Sequence, residues 1–534
     1  MSTDTFHFQP VDVVDTSQEK AASRKAVRFP RASGILLHPT SLPGPHGIGD
    51  LGKEAFQFVD FLAENQQQLW QVLPLNPPGM GESPYAAFSA FAGNPLLVSL
   101  ERLGEMGLLT GDQLAPAPGF PAQRVDYAPV RAYKLSMLQR ACDRLNDGAS
   151  GETRGRFEAF RAEHADWLDD FALFMALKDA HRGEPWTSWE RPLVTRQPQA
   201  LEEARRTLSP AIRFHQSLQF IFFTQWLALK RYANERGVRI IGDMPIFVAH
   251  DSADVWAHQE LFDLDEHGMP KTVAGVPPDY FSSTGQRWGN PLYRWDRLAQ
   301  AGYDWWVKRF QRTLATLDIM RVDHFRGFES YWEVPADHET AVEGRWVKGP
   351  GVALFDAAER VLGRLPIIVE DLGLITPDVV KLREALGYPG MKVLQFAFDS
   401  GPSNPYLPHN YEQHCVVYTG THDNDTTVGW FSQLPQRARE AVLRYLGTQG
   451  HNISRELIRL AFSSVADMAI VPVQDLLGLG SEARMNYPGR ALGNWAWRLA
   501  PGQLTPDRAA LLRELTEIFG RAPATKENWA GQPG

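Results

Sequence analysis

Residues 318–326 carry three side chains that could act together in chemistry, namely Arg321, Asp323 and His324. The segment has the aliphatic pattern of a buried parallel strand, so these side chains lie where that strand surfaces. Because side chains alternate along a strand, Arg321 and Asp323 point to one side and His324 to the other, unless the chain turns immediately. An arginine beside a carboxylate keeps it ionised, which suits a nucleophile or an electrostatic stabiliser. A structural ion pair is the alternative interpretation of this motif alone.

Carboxylates also stand at the ends of other aliphatic runs. Asp243 interrupts the run at residues 238–248, Glu370 ends the run that begins at Leu365, and Asp423 follows the run that begins at Cys415. Together with an arginine and histidines, such carboxylates fit acid/base or covalent carboxylate chemistry. No cysteine or histidine cluster has metal-ligand spacing, so we expect neither a metal nor a cofactor. From the residues alone, magnesium enzymes such as enolase-type lyases remain open, because strand-end carboxylates also hold that ion.

The elements that must position these side chains are eight short aliphatic runs that alternate with helical segments. This pattern is typical of an α/β protein with a (β/α)8 TIM barrel and helical insertions. A doubly wound sheet is the main competitor. The carboxylates all occupy the C-terminal parts of their runs, which in a barrel meet on one face around one pocket. The runs lie at residues 33–38, 69–75, 238–248, 318–326, 365–373, 391–398, 415–425 and 468–473.

The domain organisation that we expect is one catalytic barrel over residues 31–520. Residues 1–30 have mixed charge and little periodicity, and are predicted to be a mobile N-terminal extension. A charged helical pattern at about residues 100–235 predicts an insertion or subdomain after the second strand. Residues 250–317 are expected to form a substrate-loop region, and residues 521–534 a C-terminal tail.

Composition excludes several classes of partner and location. A net charge of -9 over 534 residues does not suggest a nucleic-acid or anionic-membrane partner. No apolar run approaches the roughly 18 residues of a membrane span, and the N-terminus has no apolar signal core. Cys142 and Cys415 are the only cysteines, so no disulfide framework is expected and a reducing compartment fits. We therefore predict a cytoplasmic protein.

Aromatic and amide side chains are frequent in the segments predicted to be loops, at residues 76–85, 281–295 and 342–348. Sugars need ring stacking together with hydrogen bonds to their hydroxyls, and these loops offer both. Paired carboxylates are also the groups that cleave glycosidic bonds. The residues therefore favour a carbohydrate substrate.

Eight short motifs, spread over about residues 34–499, carry a family resemblance. They lie at residues 34–38, 82–85, 242–248, 285–291, 321–327, 369–373, 420–426 and 484–489. With these motifs the chain resembles glycoside hydrolase family 77 of the α-amylase clan, the 4-α-glucanotransferases, also called amylomaltases or disproportionating enzymes. The run Thr419-Gly-Thr-His-Asp-Asn424 is especially specific.

The resemblance implies a retaining double displacement. It moves a segment of α-1,4-glucan from a donor maltooligosaccharide to the 4-hydroxyl of an acceptor glucose or glucan. By motif position, Asp323 resembles the nucleophile and Glu370 the acid/base. Asp423 resembles the third carboxylate, which favours the distorted sugar ring of the transition state.

The same resemblance implies a set of substrate-binding residues. Arg321 keeps Asp323 ionised, His324 and His422 bind sugar hydroxyls, and Trp288 either stacks on substrate or packs within its loop. The full set is Tyr85, Asp243, Gln286, Trp288, Arg321, His324, His422 and Asn486.

Two alternatives to the transferase remain in view. The first is an α-1,4-glucan hydrolase of the same clan, because water would give hydrolysis at the same residues. The second is a non-catalytic glucan-binding protein, although a binder has little need for three strand-end carboxylates. The partners expected in each case are α-1,4-glucans and maltooligosaccharides, and the oligomeric state stays open.

Overall fold

The computed structural model describes residues 26–114, 118–148, 150–278 and 282–523. Its strands are β1 (Ala32–Leu36), β2 (Leu69–Gln71), β3 (Arg239–Pro245), β4 (Thr272–Val276), β5 (Gln286–Pro291), β6 (Ile319–Asp323), β7 (Ser330–Pro335), β8 (Arg345–Lys348), β9 (Ile367–Val369), β10 (Gly390–Val393), β11 (Cys415–Tyr418) and β12 (Met468–Pro472).

The helices lie between these strands and after the last of them. They are α1 (Lys53–Glu64), α2 (Leu100–Glu105), α3 (Gly111–Leu114), α4 (Tyr127–Asp147), α5 (Gly151–Glu163), α6 (Ala165–Ala180), α7 (Arg191–Val194), α8 (Pro198–Thr207), α9 (Ser209–Glu235), α10 (Ala253–Ala257), α11 (Trp295–Gln300), α12 (Asp304–Thr316), α13 (Val352–Leu362), α14 (Pro377–Leu386), α15 (Thr427–Gln433), α16 (Gln436–Leu446), α17 (Ile453–Ser463), α18 (Val473–Leu477) and α19 (Pro506–Ile518). In the described residues, none of them is long and apolar enough to cross a membrane.

Eight strands form one parallel sheet in the order β10-β11-β12-β1-β2-β3-β6-β9. The sheet comes round on itself between its first and last strands, since the Val369 amide donates a 3.0 Å hydrogen bond to the Pro389 carbonyl, directly before β10. Each of the eight aliphatic runs supplies one strand. The predicted (β/α)8 barrel is therefore confirmed, and the doubly wound sheet is excluded.

Side chains alternate along each strand, so that a short apolar run packs into the barrel interior on one face and against the outer helices on the other. The Tyr418 hydroxyl lies 2.9 Å from the Gln71 side-chain oxygen, and because β11 and β2 are separated in the sheet by two strands, this hydrogen bond crosses the barrel interior. Ile470 belongs to the same apolar cluster as Tyr418, whereas its neighbours Ala469 and Val471 belong to the cluster that includes outer helices such as α17. Both faces of each strand are thus buried, as in other parallel sheets.

The long connection from β2 to β3 contains helices α2–α9, and α9 ties it to the barrel. The side-chain amide of Gln219 makes paired hydrogen bonds with the backbone of Gly93, at 2.7 and 2.9 Å, and Gln225 does the same with Ser99. The Trp226 indole N–H donates to the carbonyl of Thr316, at the end of α12. These bonds hold the segment that follows Tyr85 against the helices.

A second, antiparallel sheet with the order β5-β4-β7-β8 corrects the prediction that residues 281–295 and 342–348 are loops. Its strands come from two connections, β3 to α12 and β6 to α13. Strand β5 is rich in polar residues and glycine, and it pairs with β4 at Gly275, where a Cβ would lie 2.5 Å from the Gln286 carbonyl oxygen. Local sequence signals missed β5 and β8 because their residues are polar or partly exposed, so that pairing with β4 and β7 in the folded sheet, and not an apolar run, makes them strands.

The packed part of the barrel extends past both predicted ends. Residues 1–25 and 524–534 lie outside the described residues, but Val27 is buried, and its amide donates to the Gly387 carbonyl at 2.8 Å. Arg521, the first residue of the predicted tail, has 0% of its surface exposed. Its guanidinium donates to the backbone carbonyls of Ala32, Phe462, Ser464, Ala466 and Asp467.

We expect Arg521→Ala to lower the free energy of unfolding by about 3 kcal/mol, because these carbonyls lose a donor and a cavity remains. Catalytic activity per folded molecule should stay unchanged, since Arg521 bonds the residues at the amino-terminal ends of β1 and β12, away from the strand ends that carry the carboxylates. Denaturant unfolding would measure the loss. Arg206→Ala, which removes a side chain 71% exposed, serves as the control and should not move the midpoint. An unchanged midpoint for Arg521→Ala would contradict this account.

Candidate active site

The carboxylates predicted for catalysis lie at one face of the barrel. Asp323 is the last residue of β6, Glu370 directly follows β9, and Asp423 lies in the loop after β11. Asp243 is on β3, next to β6 in the sheet. These positions are the carboxyl ends of parallel strands, where barrel enzymes carry their active sites.

Arg321 joins two of the carboxylates. One guanidinium nitrogen, Nη1, lies 2.6 Å from Asp243 Oδ2 and 2.9 Å from Asp323 Oδ1. The register of β3 and β6 pairs Asp243 directly with Arg321, which places the cation between the two acids. The Tyr85 hydroxyl also donates to Asp243 Oδ2, at 2.6 Å. The Asp243 side chain is itself 0% exposed, so it orients Arg321 and Tyr85 and does not face the open pocket.

The chain turns immediately after Asp323, so the alternation expected along the strand ends there. His324 adopts the left-handed conformation, with φ 50° and ψ 50°, and a 3-10 turn follows at Phe325–Phe328. This turn directs the His324 amide to Glu370 Oε2, at 2.8 Å. The amide of Leu372 donates to Glu370 Oε1, also at 2.8 Å. Backbone groups on two segments thereby fix both oxygens of the Glu370 carboxylate.

Asp423 is held by a segment near the C-terminal end of the barrel. The side-chain amide of Asn486 donates to Asp423 Oδ1 at 2.6 Å, and His422 Nε2 lies 3.3 Å from the same oxygen. Arg484 donates to the Asp423 backbone carbonyl at 2.6 Å. About half of the Asp423 side chain, 48%, remains exposed towards the pocket. Asn486 therefore contacts Asp423 in the structure.

Aromatic rings line two sides of the site. Tyr85 stacks on His422, with ring centroids 5.1 Å apart, and Trp495 lies 5.9 Å from each of these rings. On the other side, Trp288 meets His324 edge to face at 4.7 Å and keeps 38% of its surface exposed. Trp288 thus both packs in its strand and presents a ring to solvent.

Gln286 accepts a hydrogen bond from the Trp288 indole N–H at 3.2 Å, so these two predicted residues contact each other.

Trp495 was missed by the sequence analysis. The available signal was its position only a few residues beyond the motif at residues 484–489, to which its amide is bonded through the Met485 carbonyl.

Burial dominates the electrostatics of the acids. It raises the pKa of Asp323 to about 8; Arg321 acts in the opposite direction, and the neighbouring charges of Asp243, Glu370 and Asp423 add to the increase. Burial also raises the pKa of Glu370, again against the effect of Arg321. Arg321 therefore offsets only part of the negative charge of these carboxylates, and the group of acids keeps one proton at neutral pH.

The histidines of the site have the opposite shift. Burial, with a smaller contribution from Arg326, lowers the pKa of His324 to about 3. Burial also lowers the pKa of His422, although the Asp423 charge acts against it. Both imidazoles are thus neutral near pH 7 and are suited to hydrogen bonding with hydroxyl groups. Among the described residues, no group of three His, Cys, Asp or Glu side chains is arranged to hold a metal.

A cavity of about 600 Å³ lies between α9, α12 and β3. Its walls are mostly apolar and include Phe160, Phe223 and Leu317. The three predicted catalytic carboxylates do not line it. The geometry of the carboxylates, and not the size of this cavity, therefore identifies the candidate active site.

The profile of the 4-alpha-glucanotransferase family matches residues 37–505, which include every predicted site residue. The chain belongs to the 4-alpha-glucanotransferase family. It is 55% identical over 503 residues to the 4-alpha-glucanotransferase of Thermus thermophilus, covering 93% of this chain and 100% of the relative. It is 53% identical over 495 residues to that of Synechocystis, covering 92% and 98%.

The fold of this 4-alpha-glucanotransferase family member also matches a solved relative. The amylomaltase of Streptococcus agalactiae, solved in complex with acarbose, has a TM-score of 0.90 and is 40% identical. The match covers 92% of this chain and 100% of that chain. Both the sequence and the fold comparison therefore support the family resemblance found in the motifs.

The raised pKa of Asp323 has a consequence for stability. Unfolded aspartate has a pKa of about 3.9, so between about pH 4 and 8 the folded protein binds more protons than the unfolded chain. Because Asp323 and Glu370 hold that proton jointly, the pair of carboxyls costs stability as the pH rises through this range. Asp323→Asn should unfold at a higher temperature than the parent at pH 8, by on the order of 2 °C. The difference should shrink towards pH 5.

Thermal unfolding at a fixed scan rate, over pH 5 to 8, would measure this difference. Asp323→Asn keeps the size of the side chain, so packing changes little. A difference that is constant with pH, or that grows towards low pH, would contradict the assignment of the raised pKa to this carboxyl.

Proposed function

We propose that this 4-α-glucanotransferase transfers α-1,4-glucan segments from a donor maltooligosaccharide to the 4-hydroxyl of glucose or another glucan. The transfer proceeds by a retaining double displacement through a covalent glycosyl-enzyme. The observation that carries the proposal is that Asp323, Glu370 and Asp423 stand at the carboxyl ends of β6, β9 and β11, with Arg321 bonded to the first. A nucleophile and a separate proton donor are what this chemistry requires.

In the first step, Asp323 attacks the anomeric carbon of the donor while the bond to the leaving 4-oxygen breaks. Arg321 holds Asp323 Oδ1 at 2.9 Å, which favours the ionised form and leaves Oδ2 for the attack. Glu370 gives its proton to the leaving oxygen, so that the leaving glucan departs neutral. The contact with Arg321 thus favours the reactive arrangement, in which Asp323 carries the charge and Glu370 the proton that the two carboxyls share.

In the second step, the ionised Glu370 takes the proton from the 4-hydroxyl of the acceptor. That oxygen attacks the anomeric carbon, and the bond to Asp323 breaks, which restores its carboxylate. Two inversions give net retention. The backbone amides of His324 and Leu372 hold Glu370 in the same place in both steps, so one group serves as acid and then as base.

Other residues bind the sugar that reacts. Asp423, fixed by Asn486 and His422, is placed to accept hydroxyl groups and to favour the distorted ring of the transition state. The neutral His324 and His422 bind further hydroxyls. Tyr85 and Trp288 offer aromatic faces at opposite sides of the pocket. We expect acarbose, which the streptococcal relative binds, to occupy this pocket.

Transfer requires that a sugar hydroxyl reach the glycosyl-enzyme before water does. The aromatic walls around Tyr85 and Trp288 support this requirement, because a bound acceptor that stacks on them excludes water from Asp323.

The proposed location is the cytoplasm, since Cys142 and Cys415 are both free and buried, as is usual in a reducing compartment.

The product profile from maltotriose is the first test of the proposal. We expect glucose and a ladder of longer maltooligosaccharides, while the total number of reducing ends stays constant, because each transfer conserves them. Chromatography of the products with a parallel assay of reducing ends would show it. Asp323→Ala should lower the rate by at least about 10⁴-fold while binding of maltotriose stays measurable.

A rise in reducing ends, with glucose and maltose as products, would mean that water is the acceptor and would favour the hydrolase. Unchanged activity in Asp323→Ala would contradict the assignment of the nucleophile.

The proton held by the acids predicts the dependence on pH. The pair formed by Asp323 and Glu370 keeps one proton at neutral pH and loses it as the pH rises through about 8. The ratio kcat/KM for maltotriose should therefore fall above about pH 8, because no proton remains for the leaving oxygen. With α-maltosyl fluoride as donor, fluoride leaves without protonation, so fluoride release should not fall.

Glu370→Gln provides the matched variant for this experiment, since it keeps the size of the side chain and removes the proton. It should lose far more of its rate with maltotriose than in the first-turnover release of fluoride from α-maltosyl fluoride, because that release needs neither an acid nor a base. An identical alkaline fall with both donors in the parent protein would contradict the role of Glu370 as the acid.

A further inference from the structure

Arg326 lies three residues after Asp323, in the 3-10 turn that follows β6. Its side chain is buried, with 5% of the residue exposed. One guanidinium nitrogen donates to the backbone carbonyl of Leu374, and another lies 3.4 Å from the Ser330 hydroxyl. The centre of the guanidinium stands 3.8 Å above the ring of Trp346. Lysine could not fully replace this arginine, because only a planar guanidinium stacks on a ring while its edge nitrogens donate hydrogen bonds.

The partners of Arg326 belong to different segments of the active-site face. Leu374 lies in the segment that leaves β9 and carries Glu370. Ser330 begins β7, and Trp346 is on β8, so both belong to the small antiparallel sheet. Arg326 therefore links the turn after the nucleophile to the acid/base segment and to this sheet.

Backbone hydrogen bonds already connect the first part of the Glu370 segment to β6. The Glu370 amide donates to the Val322 carbonyl at 2.9 Å, and the Phe325 amide donates to the Glu370 carbonyl at 3.1 Å. Beyond these bonds the segment runs over the surface, where Leu374 is 63% exposed, and passes through Gly373 at φ 80°. Leu372 and Ile375 pack against the apolar core on either side, so the exposed stretch between them, with its left-handed glycine, is the part that the bond from Arg326 constrains.

We infer that Arg326 is a positioning residue for Glu370. By bonding Leu374 and stacking on Trp346, it fixes the segment after Glu370, so that the acid/base carboxylate stays at the amides of His324 and Leu372. This inference rests on the roles proposed above for Asp323 and Glu370. It adds that the small sheet, through Trp346, helps to set the geometry of proton transfer.

The variants Arg326→Ala and Arg326→Lys test this role. Misplacement of a catalytic group by about 1 Å can cost on the order of 10²-fold in rate, so Arg326→Ala should lower kcat with maltotriose by about that factor. KM should change by less than about 3-fold, since Arg326 does not line the binding walls. Arg326→Lys keeps a donor for Leu374 but loses the planar stacking, and should show an intermediate kcat.

The choice of donor separates positioning of Glu370 from a general structural effect. In the first-turnover release of fluoride from α-maltosyl fluoride, which needs no proton from Glu370, Arg326→Ala should lose at least about 10-fold less of its rate than with maltotriose. Equal losses with the two donors, or an unchanged kcat with maltotriose, would overturn the inference. The same comparison on Arg326→Lys covers the case in which Arg326→Ala does not fold.

Arg364 offers a matched control within the same chain. It also donates to a backbone carbonyl, that of Leu386, and its guanidinium stands 5.0 Å above the ring of Tyr388. It precedes β9 and therefore lies at the amino-terminal end of the strand, opposite to Glu370. Arg364→Ala should lower the unfolding temperature but leave kcat unchanged with both donors. A loss of kcat equal to that of Arg326→Ala would show a general structural effect and overturn the inference.

Failure of this inference can be told apart from failure of the proposed function. If Glu370→Gln keeps full activity with maltotriose, the acid/base assignment itself is wrong. If Glu370→Gln loses activity selectively with maltotriose while Arg326→Ala retains the parental kcat, only the role of Arg326 is wrong.

Discussion

The ion pairs between Arg321 and the carboxylates of Asp243 and Asp323 are the interaction on which the rest of the site depends. A buried guanidinium loses its hydration, and only well-placed acids offset that cost. The pairing register of β3 and β6 supplies them, because it aligns Asp243 with Arg321. A slip of one residue would turn the arginine to the other face of the sheet and leave its charge unpaired. The register of the barrel and the geometry of the nucleophile are therefore a single constraint.

The left-handed conformation of His324 turns the chain at the end of β6, so that the backbone there contacts Glu370. The conformation is uncommon for a residue other than glycine, and costs on the order of 1 kcal/mol. It directs a backbone amide to Glu370 and the imidazole to Trp288. The small sheet is built from two connections that both leave the carboxyl ends of barrel strands, so its strands contact the turn from two sides. The barrel supplies the acids, and these connections shape the pocket around them.

The clustered carboxylates share one cation, Arg321, and their mutual repulsion affects both the chemistry of the site and the stability of the fold. Burial and mutual repulsion raise the pKa values of Asp323 and Glu370, which keeps a proton available near neutral pH. The same repulsion opposes folding as the pH rises. Arg321 reduces the repulsion for Asp323 through direct contact, and backbone amides hold Glu370. The difference between these two environments supports the proposed roles, an ionised nucleophile at Asp323 and a proton donor at Glu370.

The sequence by itself determined the eight barrel strands, the carboxylates at their ends and the family, because apolar runs, strand-end carboxylates and motifs are local features. Arg321, Asp323 and His324 were found in this way, since they are adjacent in the chain. Only the tertiary structure decided that residues in β5 and β8 form strands, that the Asp243 carboxylate is enclosed beneath Tyr85, and that Trp495 joins the aromatic wall. Each of these depends on a partner in another segment of the chain, and the energy of such contacts arises only when folding brings the partners together.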